Sequence, residues 1–520
     1  MKILKLPLLK AVLLGMIAIT TVSCGEDAID GIDGINGKDG VNGTNGTDGL
    51  DGKDGKNFGE IDFTNSLKTS KTPNLLKVSS EFSSISVKPI LSTEDTIPES
   101  KHFVYGSMAD GAGLIANDNG TFTLINNIEA DYSIARIYLN SDLEVAYGEY
   151  IVNAQATAST AQCSGSLISP EEHGFGPLYL SGGEWGGASK GVFLTNPWKP
   201  TKGASSAKML NAFGQWSTEN AVVIGKDAYA GKTVAFIGDD HSDNATPSGQ
   251  LGMYVGDHGD LEGGKLYGLK VTSAGITNEV DMVEGTEYNA EFVELLETEI
   301  SALDAECKAK GVMGFSRLED IDWRRGAAAN QREIYFCVTG RNKPDLVGKG
   351  SLLGRIYKVS LNETDPTGAA KITCVLDGDK DGGKADGFHS PDNILVTENY
   401  AYIQEDPNGY AATNPEITGF AKMYQYNLTN GELKTVLECD QTNAESLGYG
   451  HAGKYWEITG MIDVTDVVNN GKNTFMLITQ NHGWNAKSGQ LFTDYDAVLD
   501  AENHWASEGS TLYTIEGLER

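Results

Sequence analysis

The sequence predicts an all-β fold, a β-propeller of about six blades, and three observations carry that reading. Short β-patterned runs recur beyond residue 102, separated by Gly, Asn and Asp turns. They group into units of roughly 40 to 80 residues with about four strands each, the signature of blades with loop insertions. Gly (63) and Tyr (21) are abundant while helical heptads are absent, which disfavours a helical body. Packed blades would cover one another and leave few open edges. A two-domain β-sandwich is the alternative, because neither handedness nor ring closure is written in a sequence.

The N-terminal segment reads as an export signal. Lys2, Lys5 and Lys10 precede an apolar run of 12 residues, 11–22. That run is too short to span a hydrocarbon core of ~30 Å as a helix, so it reads as a signal h-region. It ends at T-V-S-C, which makes 1–23 a lipoprotein signal peptide and Cys24 the lipidated residue, although Thr21 stands where Leu is usual. The acidic G-E-D that follows suits an outer-membrane or cell-surface lipoprotein, attached to the membrane through its lipid alone.

Residues 24–57 form a tether containing nine G-x-y triplets. The period is that of collagen, but the third position holds only Asp or Asn and the run lacks proline, so a flexible spacer is preferred to a trimerising stalk. Residues 58–102, rich in Ser and Thr, read as an extended lead-in, and 103–520 as the propeller. Within it, one helical insertion is expected around 290–310, where apolar positions recur at helical spacing and Gly311 would cap the end.

Acidic residues exceed basic ones by 32, which weighs against a nucleic-acid partner and suits carboxylates gathered around cations. Beyond Cys24 there are five cysteines, an odd number, so at least one thiol is expected to stay unpaired. Cys163 lies in a small-residue loop (A-Q-C-S-G-S), unlike Cys337 and Cys374 in strand-like runs, and is the candidate metal ligand or reactive thiol. Glu184, Glu219, Asp239, Asp240, Glu319, Asp320 and Asp392 fall near strand ends in successive units. Inner-strand ends converge at the mouth of a propeller channel, where such carboxylates would repel one another unless cations neutralise them.

Here the body resembles the PhoX-type alkaline phosphatases, calcium-dependent phosphoesterases on a six-bladed propeller. The resemblance rests on the order of short motifs over about 155–410: Cys163 ahead of a Gly-rich strand ending in Glu184, F-I-G-D-D, R-L-E-D-I-D-W, G-R-I-Y-K and S-P-D-N-I. It implies that Cys163 is an iron ligand, that Glu184, Glu219, Glu319 and Asp392 hold calcium or iron, and that Arg317 contacts substrate phosphate; Asp239 and Asp240 are counted as further candidate metal ligands. The pattern departs at Gly182 and Gly183, where the family leads one to expect another carboxylate.

Other chemistry is largely excluded. DGDKDGG at 377–383 opens like a calcium loop but has Phe388 where the closing Glu belongs, so a structural calcium and a solvated turn both stay open. No H-E-x-x-H, G-x-S-x-G, P-loop or dinucleotide fingerprint occurs. Two functions are therefore expected to compete: an extracytoplasmic metal-dependent phosphoesterase, and a non-catalytic, calcium-stabilised surface propeller that binds a glycan or protein.

Overall fold

The computed structural model describes residues 56–241, 243–407, 419–485, 492–498 and 508–520. Cys24, the signal segment and all of the tether before Lys56 lie outside the described residues.

Six antiparallel blades make up the body. Blade 1 runs from strand Ala109–Ala116 to Val145–Val152, blade 2 from Thr160–Ile168 to Lys208–Met209, and blade 3 from Thr218–Val223 to Glu287–Leu295. Blade 4 runs from Leu318–Trp323 to Ala370–Asp377, blade 5 from Pro391–Val396 to Leu433–Cys439, and blade 6 from Glu457–Asp463 to Gly509–Glu516. The first strand of each blade is innermost. These six strands pack side by side in sequence order, and blade 6 returns to blade 1, which closes the ring.

The extended lead-in supplies the closure. Leu67 bridges to Val145 at the edge of blade 1, Leu76–Val78 pairs outside Leu433–Cys439 of blade 5, and Ser86–Ser92 is the outermost strand of blade 6, in register Ser86 with Glu516. Among the described residues, Lys56 pairs its ammonium with Glu99.

The expected helix over 290–310 is only partly helical. Glu287–Leu295 is the fifth strand of blade 3 and also pairs with Ala370–Asp377, joining blades 3 and 4 into one nine-stranded sheet. The helix is Ile300–Lys310, ended by Gly311 at φ 73°. In E-Y-N-A-E-F-V-E-L the strand period of two overlaps helical spacing, and the waiting edge of blade 4 decides between them.

Apolar side chains fill the seams between blades. Between blades 3 and 4, Phe236, Phe315, Phe336 and Tyr357 are buried together, with Phe336 and Tyr357 stacked at 5.3 Å. Each such side chain contributes about 1.5–3 kcal/mol on burial. All five cysteines beyond Cys24 are buried and unpaired. Two acids of the 377–383 turn are engaged within the protein: Asp377 pairs with Arg355, and Asp379 accepts from the Leu352 and Leu353 amides and the Ser351 hydroxyl.

Two backbone devices set the channel mouth. Every innermost strand breaks register with its neighbour at the same level: between Ala109 and Ala112, Gln162 and Gly165, Thr218 and Ala221, Leu318 and Ile321, Pro391 and Asn393, and Thr459 and Ile462. Such irregularities re-aim side chains out of the sheet alternation. In blades 1, 4 and 5 a left-handed residue (Met108, Arg317 and Ser390, φ 53°, 67° and 47°) also stands two positions before an acid.

Glycines then let the blades approach. A Cβ on Gly182 of blade 2 would lie 2.0 Å from the Glu219 carbonyl oxygen of blade 3, and one on Gly238 of blade 3 would lie 2.4 Å from that of Glu319 in blade 4. The Gly182→Ala variant is therefore expected to lose about 1–3 kcal/mol of stability through overpacking. Calorimetry reads this as a lowered melting temperature; an unchanged one would show that the seam yields without cost.

Candidate metal and phosphate site

At the channel mouth a cavity of about 210 Å³ is lined by side chains from all six blades. Asp110, Cys163, Glu219, Glu319 and Asp392 sit within the register breaks of blades 1 to 5, and Glu457 just before that of blade 6. Among the described residues, Glu129, Glu184 and Asp406 bring the carboxylates to eight, against Arg317 and His482 as the only basic side chains in the lining.

Cys163 is the hub. Its thiol donates to Glu184 Oε2 at 3.1 Å. Ligand atoms of Asp110, Cys163 and Glu219 lie within 4.8 Å of one another, as do those of Glu129, Cys163 and Glu184, so one sulfur belongs to two acid triads. Neighbouring blades hold these side chains in place. The Ser164 amide donates to Glu219 Oε1 at 3.1 Å, Thr459 donates to Asp110, and Trp185 Nε1 and Gln480 Nε2 donate to Glu129 at 2.5 and 3.0 Å.

Electrostatics follow from this crowding. Burial first, then the charges of Asp110, Glu184, Glu319 and Asp392, push the Glu219 carboxyl well above its usual range. Burial and Asp406 do the same to Asp392 and Glu457, and burial and Asp240 to Glu184. The Cys163 thiol is also pushed up, by burial and then by Glu129. A cluster of this kind is relieved either by taking up protons or by binding cations. The donor set fits metal ions: hard carboxylate oxygens suit calcium, and a buried sulfur among them suits a softer metal such as iron.

Arg317 reaches the cavity in a fixed pose. Its Nε and Nη2 donate to Asp240 at 2.8 and 2.9 Å, and Nη2 lies 2.6 Å from Glu319. His482 is held through Nδ1 by Glu508. Burial pulls the imidazole down, but Glu508, Asp406 and Glu129 outweigh it and raise its pKa.

The structure thus brings together Cys163, Glu184, Glu219, Arg317, Glu319 and Asp392 of the residues singled out in the sequence. Asp239 is not in the cavity lining: it accepts from the Ser217 amide at 3.0 Å, behind the site. Asp240 forks onto Arg317 and is not in the lining either, and Asp320 accepts from Asn220 and from the Ile394 amide. Asp110, Glu129, Asp406 and His482 were not legible, although Glu129 stands beside Glu184, near where Gly182 and Gly183 leave a carboxylate missing.

Residues 192–481, more than half of the chain, match the family described as alkaline phosphatase PhoX. Among solved structures the fold is similar to Pseudomonas fluorescens PhoX in complex with vanadate, a transition state analogue, at 14% identity and a TM-score of 0.59 over 88% of this chain and 98% of that one. The catalytic domain of Coprinopsis cinerea GH62 α-L-arabinofuranosidase aligns over 68% of this chain and 95% of its own, at 10% identity and a TM-score of only 0.30, too low to inform function. No curated protein matches the chain. By its sequence over 192–481, the chain belongs to the PhoX alkaline phosphatase family.

Proposed function

We propose that the protein is an extracytoplasmic phosphoesterase that depends on calcium, and on iron at Cys163, and is anchored to a bacterial outer membrane or cell surface through lipid on Cys24. One observation carries the metal dependence: eight carboxylates face one cavity with a single arginine, itself matched by Asp240 and Glu319. A phosphate dianion cannot enter such a field unless cations outweigh it. Membership of a phosphatase family supplies the reaction class.

Cys163, Asp110, Glu129, Glu184 and Glu219 are the residues that would hold ions on one side of the cavity, and Glu319, Asp392, Asp406 and Glu457 on the other. Bound there, calcium and iron supply neutralisation of phosphate and leaving-group oxygens. Arg317, with its plane locked by the Asp240 fork, presents fixed donors to a phosphate oxygen. His482, its pKa raised by Glu508 against the opposing effect of burial, stands beside the same cavity. Location rests on the signal and lipidation motif, and a flexible tether over 24–57 would let the site meet diffusing phosphoesters; trimerisation through its triplets is the alternative.

Aryl phosphate hydrolysis should be abolished by a chelator and restored by calcium. No turnover in calcium- and iron-loaded protein, across several phosphoesters, would instead favour a non-catalytic propeller. Cys163→Ser should lower iron content and kcat together, read by metal analysis beside steady-state kinetics; normal iron with normal kcat would remove Cys163 from the site. Asp240→Asn should raise KM by about tenfold, about 1.4 kcal/mol, by loosening Arg317, while metal content stays unchanged. A loss of bound metal in that variant would make Asp240 a ligand after all.

A further inference from the structure

Asp240 fixes the Arg317 side chain, but a left-handed residue also needs its backbone held, and a buried carboxylate outside the cavity lining does that. Glu279 opens a single helical turn, Glu279–Asp281, in the connection between strands Lys265–Val271 and Glu287–Leu295 of blade 3. It is fully buried. Its Oε1 accepts from two backbone amides in loops of blade 4, Ser316 and Ser351, both at 2.9 Å. Ser316 immediately precedes Arg317, whose φ is 67°. The same turn is tied on its other side, where the Thr339 and Gly340 amides donate to the Arg317 and Ser316 carbonyls at 3.0 and 2.9 Å. Gly350 closes over the arrangement, since a Cβ there would lie 1.9 Å from Ser316 Oγ and 3.1 Å from Glu279 Oε1.

The Glu279 carboxylate has no ion-pair partner among the described residues, and its Oε2 finds no hydrogen bond. From blade 4 it is faced by Arg355, Tyr357 and Cys374. Arg355 turns Nη1 to the Glu279 and Met282 carbonyls, and its charge is matched by Asp377 at 2.8 Å and Asp379 at 3.8 Å. The Tyr357 hydroxyl donates to the Glu279 carbonyl at 3.2 Å. Burial therefore dominates and lifts the Glu279 carboxyl to about 7, against the bonds from Ser316 and Ser351 and the charge of Arg355. Oε1 can accept in either state, but a charge-assisted hydrogen bond is roughly twice as strong as a neutral one. Ionisation thus tightens both amide bonds at once, one of them on the residue before Arg317.

We propose that Glu279 is a positioning residue for phosphate recognition: as a carboxylate it clamps the Ser316–Arg317 turn and sets the place from which Arg317 meets a phosphate oxygen. The inference rests on the proposed phosphoesterase function and adds to it a control by a group outside the cavity. Misplacement of a binding group by about 1 Å can cost about 10²-fold, so a modest loosening of this turn is measurable. Glu279→Gln keeps the shape and one amide oxygen for Ser316 and Ser351 while removing the charge.

Calorimetric titration of the calcium- and iron-loaded full chain with inorganic phosphate, after removal of free metal, tests this; metal content and melting temperature are read for every sample. At about pH 8.5, Glu279→Gln should weaken phosphate binding about tenfold. At about pH 6, where wild type has also lost the charge, the two should differ by less than about twofold. Acting through Arg317, the substitution should add less than about twofold in an Arg317→Lys background at about pH 8.5. Should Glu279→Gln not fold, wild type against Arg317→Lys alone decides: the advantage of wild type should be about tenfold larger at about pH 8.5 than at about pH 6. The same deficit at both pH values, an additive effect in the double variant, or a wild-type advantage that ignores pH would overturn the assignment alone. A wild type that binds no phosphate at either pH would overturn the functional reading and the assignment with it.

Discussion

Mutual repulsion among buried carboxylates is the constraint on which this structure turns. Eight acids converge on one cavity where Arg317 and His482 are the only counter-charges in the lining, and each of the two already has a carboxylate partner. In a medium of low effective permittivity such crowding costs several kcal/mol per unmatched charge. A chain that folded simply to bury apolar surface would keep these groups apart. Here six blades are held in contact so that their innermost strands cannot relax outward, and the repulsion becomes affinity for cations.

The backbone shows how that convergence is enforced. Plain strand alternation would send neighbouring residues to opposite faces. A register break at one level of all six inner strands turns Asp110, Cys163, Glu219, Glu319 and Asp392 toward a common point. Left-handed residues at 108, 317 and 390 sharpen the entry to three of these strands. Strained dihedrals of this kind persist only where surrounding structure over-determines them. At Arg317 the glycine seam at 238 does so, by pressing blade 3 against the carbonyl of Glu319 in blade 4.

Much of this was readable from residues alone. Blades 3 to 6 announce themselves through turn residues and strand runs, and the order of Cys163, Glu184, Glu219, Arg317, Glu319 and Asp392 carries the family resemblance. Blade 1 was harder to read, because its second, third and fourth strands are buried at every position and so lack the two-residue alternation that marks a half-exposed strand. That hid Glu129, which directly follows the second strand. Asp239 and Asp240 stand out in the F-I-G-D-D motif, but their place outside the cavity lining depends on how blade 3 packs on its neighbours, which no local pattern records. His482 depends on Glu508, a contact between distant segments that no local pattern records.

The strand Ser86–Ser92 has a consequence for how the molecule is made. It pairs with Gly509–Glu516, so this early strand must wait for one far along the chain before its edge is satisfied. Ring closure is thus a contact of very high sequence separation, whose chain-entropy cost falls due before its reward. Until then blade 6 has an open edge, of the kind that invites pairing with other chains. For such a molecule, folding after the whole chain is available is built into its topology, and the last seven-residue pairing acts as the latch on the assembly.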